Sequence, residues 1–483
     1  MSLLHQDGQR DAFAVASHFR NDFYASLTSR RDGLFEVTDA LLCADGPVTS
    51  PVDLTLLAEH RRGHGALYGA LNESRIDAVR LRRTLAALPQ PKAADGRLVL
   101  AVDVSNWLRP DAECSEDRLF CHTFGRGRDQ HLMIPGWPYS FVAALEAGRT
   151  SWCQLLDAVR LGPEDDVAEV TARQVRRVVE DLLVAGRWRE GEPDILVVFD
   201  AGYDAPRMAY LLGGLPVEVL GRMRSDRVMR RPTPTQLGYA GAYPQGGRPP
   251  KHSKEFRFIK PETWGEPDAA TVQIADRYGT ALAMAWDRLH PRLTTRSAWI
   301  DHDRELPVIE GTVIRLEVDR LPGGGDPLPL WLWSSAIGMT GSDVDLRWQV
   351  FLRRFDLEHT FRMIKQTLGW TRPKLRTPQA ADLWTWLIIV AHTQLRLARP
   401  LAEDVRRPWE RPTQPNRLTP ARVRRGFRNL RAALPCPARA PKPSRPGTGR
   451  PLGSKNKRPA TCYDVGKTVR RPETIIERDR ARP

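Results

Sequence analysis

The amino-acid sequence predicts a mixed α/β fold, and two observations lead to that prediction. Two short apolar runs, 98–105 (LVLAVDVS) and 195–202 (ILVVFDAG), are typical of strands buried on both faces of a sheet. Between them, residues 165–186 repeat apolar side chains at about the helical period. Strands separated by a helix indicate an α/β core.

Patterns along the 483 residues divide the chain into five segments. Residues before about 95 carry apolar positions near a 3.6-residue period, which favours helices. Residues 228–340 are rich in Pro and Gly and contain short β-like runs. We therefore expect a helical N-terminal domain at 1–95, the first part of a core at 96–227, a mostly β insertion at 228–340, the second part of the core at 341–400, and a tail at 401–483.

Four local elements are predicted along the chain. We expect a β-hairpin around residues 131–145 and a long helix from about 343 to 368. A second helix is expected from 378 to about 399. In the tail, Thr419 and Pro420 supply the start signals of one short helix, whose arginines include Arg422, Arg424, Arg425 and Arg428. These arginines could lie along DNA, or the helix could be a cap on the core.

The formal net charge of +15 resides in the C-terminal tail. Residues 401–483 contain 22 Lys and Arg against 7 Asp and Glu, and 13 of the 39 prolines. The first 400 residues hold 51 basic and 51 acidic side chains, so they are neutral overall. A neutral body with a basic, Pro-rich tail is typical of a protein that binds a polyanion, most often nucleic acid. The alternative is a tail that only keeps the protein in solution.

Composition excludes some protein classes. With 41% hydrophobic and 27% charged residues, the chain is neither disordered throughout nor a membrane protein. Its longest apolar run, 383–391, is too short to span a bilayer. The six cysteines form no CxxC pair, which suits a reducing compartment. We therefore expect a cytoplasmic protein with no membrane contact.

Two aspartates follow the apolar strand runs. Asp103 closes the first run and Asp200 closes the second. The carboxyl ends of parallel strands share one edge of a sheet, where α/β proteins place their sites. Hard cations such as Mg²⁺ bind carboxylate oxygens, and a two-metal site for phosphoryl transfer needs a third carboxylate. A strand-end aspartate can also be simple turn chemistry, so each one alone indicates little.

The expected long helix offers the third carboxylate. At 100° per residue, Phe351, Arg354, Glu358 and Lys365 fall within about 60° of one another, beside an apolar arc that must face the core. A ridge at the edge of the core can face the end of a sheet. The alternative is a solvated helix face with an ordinary Arg–Glu pair four residues apart.

The spacing of this ridge resembles a known signature. Phe351-x2-Arg354-x3-Glu358-x6-Lys365 is similar to the Tyr-x2-Arg-x3-Glu-x6-Lys signature of bacterial insertion-sequence DDE transposases. Phe351 stands where the signature has Tyr, so the ring is kept and its hydroxyl is lost. The resemblance extends over about residues 95–400, because the aspartates in LAVDVSNW and VVFDAGYD resemble the first two acidic positions of that family.

The resemblance implies a fold and a reaction. The fold would be a ribonuclease H-like core interrupted by the β insertion, with Asp103, Asp200 and Glu358 as catalytic residues that bind two Mg²⁺ ions, for which Mn²⁺ can substitute. The reaction would be cleavage of double-stranded DNA at transposon ends, followed by strand transfer. The enzyme would act as a homodimer in the synaptic complex and would be associated with the bacterial nucleoid. Arg354, Lys365 and the ring of Phe351 would contact DNA.

Two rival functions remain open. A nuclease without strand transfer would use the same three carboxylates. A non-catalytic, regulatory DNA-binding protein derived from a transposase would keep the tail but would not need three convergent carboxylates. The sequence lacks a Gly-rich phosphate loop after a strand, which disfavours a nucleotide-driven enzyme.

Weaker motifs point to further DNA contacts. Arg450, in the Gly-Arg-Pro of PSRPGTGRPLGSKNKRP, resembles the core of an AT-hook, which enters a narrow minor groove. The cysteines and histidines in 114–131 match no usual zinc spacing. In related transposases a Trp of the β insertion stacks on a flipped base, and a Trp in a β domain is more often part of the core. The candidates are Trp264, Trp286, Trp299, Trp331 and Trp333.

Overall fold

We describe the protein from a computed structural model. The residues it describes are 3–124, 131–148, 150–233, 251–295, 297–299, 302–414, 417–442, 453 and 458–467. Arg450 lies outside them, as do residues 234–250 of the insertion.

Ten of the strands in the described residues form one mixed sheet. The strands are β1 (Val99–Leu108), β2 (Leu119–Phe124), β3 (His131–Leu145), β4 (Cys153–Arg160), β5 (Ile195–Phe199), β6 (Val217–Met223), β7 (Val228–Arg230), β8 (Glu255–Arg257), β9 (Ala269–Ala275), β10 (Gly279–Leu289), β11 (Gly311–Val318) and β12 (Leu330–Ser334). Strands β7 and β8 pair separately as a small antiparallel sheet.

The centre of the large sheet is parallel and its two sides are antiparallel. Strand β1 pairs parallel with β5, and β5 pairs parallel with β6. On one side, β3 pairs antiparallel with β1 and also with β2 and β4. On the other side, β12, β11, β10 and β9 continue the sheet from β6 as antiparallel neighbours. The predicted mixed α/β fold is confirmed, and this sheet is consistent with a ribonuclease H-like domain.

Helices cover the sheet and form a layer beside it. They are α1 (Leu3–Ser26), α2 (Arg31–Cys43), α3 (Pro51–Leu54), α4 (His64–Glu73), α5 (Ala78–Ala87), α6 (Val167–Val184), α7 (Ala205–Leu211), α8 (Gly341–Arg353), α9 (Phe355–Arg362), α10 (Pro378–Ala398) and α11 (Pro420–Ala433). Helices α1 and α2 pack against α10, and α11 packs against α2 and α10. The N-terminal helices therefore share one hydrophobic core with the sheet. No helix in the described ranges is long and apolar enough to cross a membrane.

Two strands differ from the sequence expectation. Strand β1 does not end at Asp103 but continues to Leu108, because β3 pairs with it along that whole length. The expected hairpin at 131–145 is wrong, since these residues form the single strand β3. Its glycine, Gly136, lies so close to the neighbouring strand that a Cβ there would stand 2.6 Å from the carbonyl oxygen of Trp107. The glycine thus permits a close approach of two strands and not a turn.

The expected long helix is also interrupted. Helix α8 ends at Arg353, α9 begins at Phe355, and a π-helical turn follows at Met363–Thr367. At the break, the Arg354 amide donates to the Phe351 carbonyl at 3.1 Å. This hydrogen bond spans three residues, as in a 3₁₀-helix, and not four as in an α-helix. Arg354 therefore lies at the junction of α8 and α9.

The tail helix α11 is a cap on the core. The Arg424 side chain is buried and donates to the carbonyls of Leu41 and Gly46 at 2.9 and 2.6 Å. Arg428 donates to the Cys43 carbonyl at 2.8 Å, and Arg425 forms an ion pair of 2.6 Å with Glu410. These arginines contact the protein itself, which favours the cap over a helix that lies along DNA.

Candidate active site

The parallel centre of the sheet brings Asp103 and Asp200 to one edge. Pairing of β1 with β5 ends at Val102 and Phe199, so each aspartate is the next residue beyond its last parallel pair. The turn after Asp200 is held tightly because α7 begins directly against β6. A Cβ at Gly221 would stand only 2.4 Å from the Cβ of Ala205, so this approach requires glycine.

Helix α9 carries Glu358 to the same edge by burying its other face. Leu357 and Phe361 are buried, and the Phe361 ring lies 5.2 Å from the Phe141 ring on β3, centroid to centroid. Thr360 is buried as well, and its hydroxyl lies 3.0 Å from the Cys153 sulfur on β4. These contacts fix the rotation of α9, and they leave Glu358 on the exposed side.

Helix α8 is anchored by buried ion pairs and hydrogen bonds. Arg347 binds both carboxylate oxygens of Glu218 on β6, at 3.0 and 2.7 Å. The Asp345 carboxylate accepts hydrogen bonds from Thr271 and Gln273 on the edge strand β9, at 2.6 and 2.8 Å. Strands β6 and β9 therefore hold the helix that ends just before Arg354, which ties them to the geometry of the candidate site.

The three predicted acidic residues converge on one guanidinium group. Arg354 Nη1 donates to Asp103 Oδ2 at 3.0 Å, and Nη2 lies 3.2 Å from Asp200 Oδ2. The same Nη2 lies 3.5 Å from Glu358 Oε1. The structure thus brings together residues that are up to 255 positions apart in the sequence.

Exposure differs sharply between the cation and its acidic partners. The Arg354 side chain is only 4% exposed, whereas those of Asp103, Asp200 and Glu358 are 22%, 35% and 52% exposed. The guanidinium therefore lies beneath the carboxylates, and the carboxylates face outward. Three acidic groups surround one arginine, so the cluster attracts further cations from solvent.

The pKa of Asp103 lies above its ordinary value. Burial raises the pKa of Asp103 to about 6, and the nearby Asp200 and Glu358 carboxylates raise it as well. Arg354 and a hydrogen bond of 2.8 Å from the Val104 amide act in the opposite direction. A desolvated carboxylate among other carboxylates is typical of a functional site.

Phe351 and Lys365 lie near this cluster in different ways. Phe351 is buried, with 2% exposure, and its ring centroid lies 5.9 Å from the Arg354 guanidinium carbon. Its ring therefore supports Arg354 and offers no surface to DNA in this conformation. Lys365 is half-buried in the π-helical turn, with its ammonium 5.6 Å from the ring of Trp370. Burial lowers the pKa of Lys365, an effect that Asp103 and Cys121 oppose.

The fit of a metal ion can be judged from the donor groups. In this conformation, no group of three His, Cys, Asp or Glu side chains in the described ranges is arranged to hold a metal ion. At the sheet edge, the Arg354 guanidinium lies between the carboxylates. The donors are nevertheless suited to a hard divalent cation, since all three are carboxylates. Asp200 Oδ1 is buried and has no hydrogen-bond partner, so a ligand position is available. The residues fit a divalent ion if Arg354 moves aside.

Tyr203 is a further neighbour of Asp103, and no motif in the sequence points to it. Its hydroxyl lies 3.3 Å from the Thr171 hydroxyl, and burial raises the pKa of Tyr203 to about 12, with Asp103 adding to the rise. The residue follows Asp200 by three positions in the same turn, which is the only signal that the sequence offers. Tyr203 therefore forms part of a partly buried wall beside Asp103.

The five candidate tryptophans are core residues of the protein. Trp286, Trp299, Trp331 and Trp333 are buried, and Trp264 is partly buried. Trp264 and Trp331 lie 5.3 Å apart, centroid to centroid, and Trp331 stacks on Phe258 at 4.2 Å. This packing supports the core interpretation for these residues.

Comparison with known families supports a nuclease. A family model described as DDE superfamily endonuclease matches residues 22–292, which is more than half of the chain. The matched range contains Asp103 and Asp200 and ends before Glu358. No curated protein matches the chain.

Proposed function

The chain belongs to the DDE superfamily of endonucleases, and on that premise we propose that it is a DNA transposase. Its reaction would be cleavage at transposon ends and transfer of the freed strand to target DNA. The observation that carries this proposal is the convergence of Asp103, Asp200 and Glu358 on Arg354 at the carboxyl edge of β1 and β5.

In this proposal Asp103, Asp200 and Glu358 hold divalent metal ions, Mg²⁺ by preference. When bound, such ions lower the pKa of an attacking water or hydroxyl and stabilise the leaving oxygen. The unpartnered Asp200 Oδ1 and the outward-facing Glu358 support this role. Without metal ions, three carboxylates at one edge would repel the phosphates of DNA.

Arg354 and Lys365 have positioning roles in the proposal. Arg354 offsets part of the negative charge of the carboxylates while the site is empty of substrate, and its planar fork suits a phosphate equally well. The rings of Phe351 and Phe355, 5.9 and 5.2 Å away, keep the guanidinium at the edge of the site. Lys365 supplies a second positive charge near Asp103 and would bind phosphate as a point charge.

The experiment uses the DNA that flanks the coding region, placed on a supercoiled plasmid. Wild-type protein with Mg²⁺ should nick or cut that DNA, and chelation of the metal should stop the reaction. Glu358→Gln should bind the DNA as tightly as wild type without cutting it. Glu180→Gln, an exposed carboxylate on α6, is the matched control and should cut normally. Binding without any cutting by the wild type would favour the regulatory DNA-binding protein.

A second plasmid separates a transposase from a nuclease. A transposase should join the flanking DNA covalently to the second plasmid, whereas a nuclease without strand transfer should leave only cut ends. We expect the joined product, with two protein copies on a pair of DNA ends. The oligomeric state on DNA can be measured by light scattering of the purified complex.

A further inference from the structure

The last described segment of the chain, residues 458–467, docks on the edge strand β2. The Gly466 amide donates to the Arg118 carbonyl at 2.8 Å, and the Phe120 amide donates to the Gly466 carbonyl at 3.2 Å. These two bonds form an isolated parallel bridge between Leu119 and Gly466. The segment therefore extends the edge of the large sheet locally.

Tyr463 fixes the segment at a second point. Its amide donates to the Glu113 carbonyl at 3.0 Å, and its hydroxyl donates to Glu116 Oε1 at 2.7 Å. Arg118 Nη2 donates to the Tyr463 carbonyl at 3.1 Å. Hydrogen bonds at Tyr463 and at Gly466 thus hold the segment in one register against residues 113–120.

This register places two thiols side by side. Cys462 precedes Tyr463 and Cys114 follows Glu113, so the hydrogen bond of 3.0 Å between the Tyr463 amide and the Glu113 carbonyl sets the two cysteines beside each other. Cys462 is exposed and Cys114 is partly exposed, so a small oxidant can reach both. Among the other cysteines, Cys43, Cys121 and Cys153 are buried and Cys436 is exposed.

We propose that Cys114 and Cys462 form a reversible disulfide that ties the C-terminal segment to the β2 edge of the sheet. With a peroxide as the oxidant, the thiolate of one cysteine attacks the O–O bond, which gives a sulfenic acid and releases hydroxide or an alcohol. The second thiol then displaces water from the sulfenic acid and forms the S–S bond. Overall, two thiols lose two electrons and two protons to the peroxide. A dithiol reductant reverses the step by thiol–disulfide exchange.

The groups around Cys462 favour the protonated thiol, so we expect Cys114 and Cys462 to stay reduced in the absence of an oxidant. Contact with Cys114 raises the pKa of the Cys462 thiol, Glu113 adds to the rise, and Arg118 opposes it. The thiolate is the reactive form, so oxidation should be faster at alkaline pH. Disulfides of cytosolic proteins are usually transient and redox-sensing. The proposal does not depend on the DNA chemistry, since it concerns the state of the thiols alone.

The test oxidises the full-length, reduced protein with hydrogen peroxide and maps its thiols by peptide mass spectrometry after alkylation. The Cys114–Cys462 peptide pair should be the dominant disulfide and should disappear on reduction. Limited trypsin cleavage after the exposed Arg439 gives a second readout. The C-terminal fragment of the oxidised protein should remain attached on a non-reducing gel.

Two variants complete the test. Cys462→Ser removes an exposed thiol, so it should fold normally and should lose both the linked peptide and the attached fragment. Cys436→Ser is the matched control, because Cys436 is also exposed and should not affect the link. Oxidation that yields other disulfides or sulfinic acids without the Cys114–Cys462 link would overturn the proposal, as would a link that persists in Cys462→Ser.

Discussion

Two arginine clusters of this protein differ in their exposure and in their hydrogen bonding. In the helical layer, Arg20 on α1 binds both oxygens of Asp39 at 2.7 and 3.0 Å, Gln394 at 2.6 Å and the Pro435 carbonyl at 2.9 Å. Arg20 and Asp39 are 0% and 1% exposed. At the sheet edge, Arg354 is shared among three partly exposed carboxylates, and its Nε has no hydrogen-bond partner.

The difference separates a structural cluster from a functional one. In the helical layer, Arg20 and Arg431 both form ion pairs with Asp39. Each of the three side-chain nitrogens of Arg20 has a hydrogen-bond acceptor. At the sheet edge, negative charge exceeds positive charge and the acidic groups face outward. An excess of carboxylates at one place does not stabilise a fold, which is a reason to expect a cation or a reaction there.

The largest expected effect is loss of activity at the sheet edge without loss of stability. Glu358→Gln should reduce Mg²⁺-dependent DNA cleavage by roughly 10³-fold, because a metal site contributes several kcal/mol to transition-state stabilisation. The free energy of unfolding should change by less than about 0.5 kcal/mol, since the side chain is half exposed. Gel-based cleavage and urea denaturation measure the two quantities. Equal cleavage by the variant would contradict the proposed role of Glu358.

The second largest effect is loss of stability in the helical layer. Arg20→Met should lower the free energy of unfolding by about 3–5 kcal/mol, because Asp39 would remain buried with only part of its pairing. Arg10→Met, on the exposed face of the same helix, is the control and should change it by less than about 0.5 kcal/mol. Similar unfolding curves for both variants would show that the buried cluster does not stabilise the fold.

A third effect concerns acid sensitivity of the helical layer. His392 on α10 is fully buried without a hydrogen-bond partner, and burial lowers its pKa to about 3. Because the unfolded chain binds this proton near pH 6.5, folding stability should fall as the pH drops below that value. By pH 5 the loss should reach about 2 kcal/mol. His392→Gln should lose less than wild type over this range, as measured by urea denaturation at each pH. Parallel pH profiles would contradict this account.

The smallest expected effect is a gain of stability at the sheet edge. The pKa of Asp103 in the folded protein, about 6, lies above the unfolded value, so its contribution to stability falls as the pH rises from 4 to 6. At pH 7.5 with chelator, Asp103→Asn should therefore unfold at a higher urea concentration than wild type. Its free energy of unfolding should be higher by about 1 kcal/mol after allowance for solvent screening. At pH 4 the two proteins should converge. A loss of stability at pH 7.5 would show that the carboxylate is structural.

The positions of the acidic residues were predictable for local reasons. Apolar runs that end in an aspartate mark the edge of a parallel sheet, and helical phase places Glu358 beside an apolar face that must be buried. Both arguments need only neighbours in sequence. The family match confirms the DDE assignment, whereas the roles of the individual residues stay predictions.

The remaining features depend on contacts between distant segments. The extension of β1 past Asp103 depends on β3, and the continuation of the sheet beyond β6 depends on strands over 100 residues away. A helical wheel assumes a straight helix, so it could not show the break at Arg354. Arg424 also looks like any tail arginine in sequence, and it is buried only because α11 docks on α2.

Mn²⁺ binding, followed by electron paramagnetic resonance, tests directly whether the carboxylates at the sheet edge form a metal site. Wild-type protein and the Glu180→Gln control should take up Mn²⁺ equally. Asp103→Asn, Asp200→Asn and Glu358→Gln should each lose most of that uptake, because each removes one ligand of the same site. Equal uptake by all five proteins would contradict a metal site at the edge of β1 and β5.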